Sequence, residues 1–102
     1  MPTNQRLISF KESIELGKYQ TEYLEQYKEW QELDRHVQYQ YIVQAIINKR
    51  RQLRLQWARL ANQPNFSKKP YPTEAQRKVE QALQDLEEDE ERLMVEYAGE
   101  LN

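Results

Sequence analysis

The sequence contains no cysteine, one histidine, only two glycines and no long apolar run. Without Cys, neither a disulfide framework nor a thiolate metal site can form. No apolar stretch approaches the roughly 18 consecutive residues of a membrane-spanning helix. The N-terminal stretch has no apolar segment of the kind that directs export, so the expected location is cytoplasmic. Two Gly in 102 residues leave few of the tight turns that a sandwich or small barrel needs. A chain of 102 residues is also too short to fill a second core, which predicts one domain over 1–102.

What the chain does have is charge, arranged in blocks. Residues 1–48 carry five basic and seven acidic side chains. Residues 49–78 carry nine basic residues against Glu74 alone, and residues 79–102 carry nine acidic residues against Arg92 alone. The net charge of −2 therefore conceals +8 beside −8. Such blocks either fold against each other or face separate partners.

The second feature is helical periodicity. An apolar stripe runs Leu16, Tyr19, Tyr23, Tyr27, Trp30, Leu33, Val37, Tyr41, Ala45, Lys49, Leu53, Trp57, Leu60, interrupted only at Lys49. Its mean step of about 3.67 residues is a helical period that strand alternation cannot produce. It lies nearer an 11-residue repeat than a heptad, so the helix is expected to be nearly straight. No Pro occurs between Pro2 and Pro64. The pattern predicts one very long helix over about 18–62, with Thr21 as a candidate cap. Ser9-Phe10-Lys11-Glu12 reads as a capping box opening a short helix over about 10–16. Gly17 would close it and set residues 1–17 apart as a short N-terminal segment. Three prolines mark 63–72 as an interhelical loop, and Thr73-Glu74-Ala75-Gln76 is a second capping box. The helix it opens, over about 74–98, carries Val79, Leu83, Leu86, Leu93 and Tyr97 on one face, with Gly99 as a stop signal.

The expected fold is thus all-α: an antiparallel helical hairpin, coiled-coil-like or a small bundle. In that hairpin, facing residues have numbers summing to about 135, which puts Glu80 opposite about residue 55. Asp85–Glu91 then lie opposite about residues 44–50, so the charge blocks meet only in part. The second helix is too short to cover Tyr19–Leu33. That portion is expected to overhang, covered either by Leu7, Ile8, Phe10 and Ile14 or by another chain.

No catalytic constellation is evident. Glu29, Glu32 and His36 share a face of a continuous helix, but Leu33 stands where a di-metal bundle site needs Glu. The run Glu87–Glu91 lacks the Gly and the spacing of a calcium loop. There is no Gly-rich phosphate loop. Leu16-Gly17-Lys18-Tyr19 begins like a tetratricopeptide turn, but Glu22 stands where that repeat needs a small residue, and no second copy follows at an offset of about 34. The expectation is a non-enzymatic protein without cofactor or metal that binds another protein or itself, as a homodimer. The candidate interface is Tyr19, Tyr23, Tyr27, Trp30, Leu33, Val37 and Tyr41, since Tyr and Trp bury large area with few rotatable bonds. Glu87, Glu88, Glu90 and Glu91 are candidates for meeting a basic partner. Arg50, Arg51, Arg54, Lys68 and Lys69 are candidates for an acidic partner. The same five, with Trp57, Phe66 and Tyr71 as possible stacking rings, raise the alternative of a nucleic-acid accessory protein.

Overall fold

The computed structural model describes residues 7–62 and 73–101, with side chains described through Gly99. The Pro-rich loop 63–72, together with Phe66, Lys68, Lys69 and Tyr71, lies outside the described residues. Within them the protein is all-helical: α1 (Phe10–Glu15), α2 (Thr21–Leu24), α3 (Lys28–Gln31), α4 (Arg35–Ala61) and α5 (Glu74–Leu101).

Both predicted capping boxes form. The Glu12 amide donates to Ser9 Oγ at 3.0 Å and the Ser9 amide to Glu12 Oε1 at 3.2 Å. At α5, the Gln76 amide donates to Thr73 Oγ1 at 3.2 Å and the Thr73 amide to Gln76 Oε1 at 2.9 Å. Each box satisfies two amides that the helix itself leaves without acceptors.

Gly17 ends α1 as expected, for two reasons. Its φ of +84° is a conformation that L side chains rarely adopt. Its amide donates to the Ile14 carbonyl and the Lys18 amide to that of Ser13, which is the Schellman pattern. It also lies directly on α4, where a Cβ at this position would stand 2.9 Å from Lys49 Cβ and 3.0 Å from Lys49 Cα. Asn48 completes the junction by donating from Nδ2 to the Ile14 carbonyl at 3.0 Å.

The long helix differs from expectation. It begins at Arg35, and residues 18–34 form two single-turn helices instead of continuing it. Gln20 rather than Thr21 stands at the N-cap of α2, without a side-chain cap. The amides of Gln26, Tyr27 and Leu33 bond to carbonyls three residues back, which tightens the chain into turns. Side chains add bonds to the carbonyls here: Gln31 Nε2 reaches the Glu25 carbonyl at 2.7 Å, and Gln38 Nε2 reaches the Trp30 carbonyl at 2.8 Å, which also accepts from the Leu33 amide. Magnitudes explain the choice. A straight helix would leave Tyr19, Leu24, Tyr27 and Trp30 without cover, whereas the folded chain leaves them 5%, 0%, 6% and 2% exposed. Each such burial contributes about 1.5–3 kcal/mol. Each helical hydrogen bond given up is worth only about 0.5–1.5 kcal/mol net.

The core is one cluster in which Phe10 and Ile14 of α1 meet Tyr27 and Trp30, joined to the α4/α5 seam of Ile42, Ala45, Ile46, Leu53, Val79, Leu86, Leu93 and Tyr97. Phe10 packs edge-on against Tyr27 at 5.6 Å and against Tyr41 at 5.1 Å between ring centroids. Tyr27 donates to the Ile8 carbonyl at 2.7 Å, and its burial and the neighbouring Tyr23 hydroxyl push its pKa up to about 12. The hairpin register is close to prediction: Trp57 donates to Glu80, and Tyr39 stacks on Tyr97 at 5.6 Å. At the same end, the Arg35 guanidinium sits 3.9 Å over the Tyr97 ring. Gly99 does not stop α5, which runs on to Leu101 with nothing within 4 Å of where a Gly99 Cβ would be.

Candidate interaction surface

The structure places most of the predicted Tyr/Trp stripe inside the chain. Tyr19, Tyr27 and Trp30 are buried, Tyr23, Leu33 and Val37 are half-buried, and only Tyr41 of the seven is exposed. Of the two coverings expected for the overhang, the structure shows the one from within the chain: Phe10 and Ile14 of α1 pack with the two turns over it. Tyr19 donates its hydroxyl to Asp89 of α5, and burial, followed by that carboxylate, raises its pKa. Glu29, Glu32 and His36 no longer share a helix, since α3 ends at Gln31 and α4 starts at Arg35. Among the described residues no group of three or more His, Asp and Glu is arranged to hold a metal ion, and no helix is long and apolar enough to cross a membrane.

The charge blocks behave differently from the stripe. Two ion pairs form among the described residues: Arg50 with Glu90 across the α4/α5 seam, and Arg92 with Asp89 at 3.0 Å within α5. Both are partly exposed, and pairs of this kind contribute about 0.2–1 kcal/mol. Arg51 donates only to Asn48 Oδ1, at 3.3 Å, and Arg54, Glu87, Glu88 and Glu91 form no ion pair among the described residues. The two blocks lie on adjacent helices and yet leave most of their charge facing solvent.

Apolar residues lie among these charges. Ile47 is 40% and Leu55 51% exposed on α4, where they line an open concavity of about 420 Å³ with Arg50, Arg51 and Arg54. Met94 is 52% and Val95 73% exposed on α5, within about one helical turn of Glu91. At about 100° per residue, Ile47 and Arg54 lie on the side of α4 turned away from Ala45 and Asn48, which face α1. Glu87 and Glu91 lie on the matching side of α5, away from Asp89, which meets Tyr19, and Val95 lies at its edge. Together they form the face of the hairpin opposite α1–α3. The molecule is a slab, 53 × 42 × 17 Å between Cα atoms, so this face is broad relative to the protein's thickness.

Ile47, Leu55, Met94 and Val95 lie outside the interface expected from the sequence. Their signal was available: Ile47, Arg51 and Leu55 follow an i, i+4, i+8 spacing outside the core stripe, and Met94-Val95 adds two apolar residues off the Leu86–Leu93–Tyr97 face. The predicted basic residues are divided: Arg50 is engaged by Glu90, while Arg51 and Arg54 are exposed. Comparison with protein-family models, curated proteins and solved structures finds no match for this chain.

Proposed function

We propose that this protein is a non-enzymatic interaction module that binds a protein partner through the outer face of the α4/α5 hairpin. The observation that carries this reading is the solvent-facing set Ile47, Arg51 and Arg54 on α4 beside Glu87, Glu91 and Met94 on α5, with Leu55 and Val95 exposed at its two edges. Exposed apolar residues ringed by unneutralised charge are the composition of a protein contact: the apolar atoms supply affinity, and the charges set orientation and reject wrong partners. The working location we propose is the cytoplasm, which a chain without cysteine suits.

Nucleic acid is the weaker use of the same basic residues. The Glu90 carboxylate occupies Arg50, and the acidic residues of α5 flank the remaining guanidinium groups and would repel phosphate. Trp57, offered above as a stacking ring, is half-buried with its indole N–H on Glu80.

A photo-crosslinking residue at position 51 or 95 tests the module. Both positions are expected to yield a discrete crosslinked product, whereas the exposed Lys11 on α1 is not. Equal labelling at all three, or none at 51 and 95, refutes the reading. A mobility-shift assay with mixed DNA and RNA at about 50 mM salt tests the other use, since phosphate contacts are strongest at low salt. Binding lost on Arg51→Ala would favour nucleic acid.

A further inference from the structure

We infer that the partner on this face is a second copy of the same chain, arranged so that α4 of each copy lies over α5 of the other. This inference rests on the interaction-module reading above and adds the occupant and its geometry.

The face has a basic half and an acidic half side by side. On α4, Arg51 and Arg54 stand exposed around Ile47, and on α5, Glu87 and Glu91 stand exposed beside Met94 and Val95. Neither half neutralises the other within the chain beyond the Arg50–Glu90 pair. A surface carrying both signs in two parallel stripes is complementary to a rotated copy of itself. Closed two-fold contacts use one patch twice, so only the direction of the axis remains to be chosen.

Charge and register choose it. A two-fold axis across the helices would lay α4 on α4 and stack guanidinium on guanidinium. An axis parallel to the helices, running between the two slabs, lays α4 on the partner's α5. That rotation leaves positions along the helix axis unchanged, so the register within one chain also holds between chains. Arg50 is level with Glu90, Trp57 with Glu80 and Tyr39 with Tyr97. Arg51 of one copy then comes over Glu87 of the other, with Arg54 about one turn further along. Ile47 comes over the Glu91–Met94 stretch, where it meets the exposed Met94. The arrangement makes each oppositely charged contact twice, covers Ile47 and Met94, which are 40% and 52% exposed in the single chain, and gives a four-helix core with α1–α3 on its two outer sides.

Sedimentation and charge exchange test it. The chain is expected to sediment at twice its mass of 12.5 kDa over a micromolar-to-millimolar series, with weakening at high salt. Arg51→Glu with Arg54→Glu makes both stripes acidic, and Glu87→Arg with Glu91→Arg makes both basic. Each double variant is expected to be monomeric while keeping the helical circular dichroism of the parent. Mixing the two is expected to restore a dimer, because each basic stripe then meets an acidic one in trans. A residue with only an internal structural role would give no rescue on mixing. A wild-type chain that is monomeric at every concentration overturns the inference. So do dimers that survive both double variants, or a mixture of folded variants that stays monomeric. If the wild type is monomeric while crosslinks at 51 and 95 join it to a species of another mass, the interaction module stands and the second copy as its partner fails.

Discussion

Gly17→Ala offers the sharpest test of how α1 meets α4. The substitution adds one methyl group, and the structure charges it twice. Holding a residue other than Gly near φ +84° costs about 1–2 kcal/mol. The added Cβ would also stand 2.9 Å from Lys49 Cβ, 3.0 Å from Lys49 Cα and 3.1 Å from Lys49 N. Two of those three atoms are backbone in the middle of a long helix, so relief means moving α1 away from α4. Forcing a methyl into a packed contact costs about 1–3 kcal/mol. The expected loss is about 2–5 kcal/mol, a large part of the roughly 5–15 kcal/mol that stabilises a domain of this kind. It corresponds to a melting temperature lower by at least about 8 °C. The assay is urea unfolding followed by circular dichroism at 222 nm, with the slope checked for constancy so that the midpoint reports stability. Gly99→Ala is the control. The same methyl there meets nothing within 4 Å inside a helix, so it is expected to be neutral or to stabilise by up to about 1 kcal/mol. A Gly17→Ala midpoint equal to the parent's would refute the close approach of the α1 turn to Lys49. A larger loss at Gly99 than at Gly17 would restore Gly99 as a helix stop.

Three further outcomes follow from the core and its buried phenols. Trp30→Ala, at a residue 2% exposed, is expected to cost about 3–5 kcal/mol in urea unfolding, and the oligomeric state of the remaining folded protein should not change. A loss of association with unchanged stability would return Trp30 to an interface. Tyr19→Phe deletes the donor to Asp89 and is expected to cost about 1–2 kcal/mol, toward the lower end for a bond to a charged group because Asp89 is partly solvated and keeps its pair with Arg92. An unchanged unfolding midpoint would show that this bond adds nothing to stability. Tyr27 has its pKa raised from 10.0 to about 12 in the folded protein, so its stabilising contribution is intact below pH 10 and is lost as pH rises from 10 to about 12. Absorbance at 295 nm should show this phenol ionising late, together with the buried Tyr19 and Tyr97, whose pKa values burial also raises. Simultaneous titration of all the tyrosines near pH 10 in the folded state would contradict the burial.

The sequence by itself determined the helical class, both capping boxes, the end of α1 at Gly17 and the antiparallel register of the α4/α5 hairpin. These follow from local rules: a Ser or Thr hydroxyl reaches the amide three residues on, Gly accepts a positive φ, and apolar residues recur at helical spacing. Only tertiary structure decided the fate of residues 18–34. The apolar stripe through Tyr19, Tyr27 and Trp30 is as compatible with one straight helix as with two turns, because periodicity records which side of a helix is apolar and not whether the helix stays whole. Folding back won because α1 offers Phe10 and Ile14 as cover, and because the Gln31 and Gln38 side chains add bonds to carbonyls at the break. The candidate surface changed for the same reason. Once Tyr19, Tyr27 and Trp30 were buried, the exposed large apolar residues were Leu7, Leu16, Tyr41, Ile47, Leu55, Met94 and Val95, the last four set among charges that, among the described residues, pair across the hairpin seam at Arg50 and Glu90. Which stripe is core and which is left for a partner depends on what packs against each side of the hairpin, and a one-dimensional pattern of residues does not contain that information.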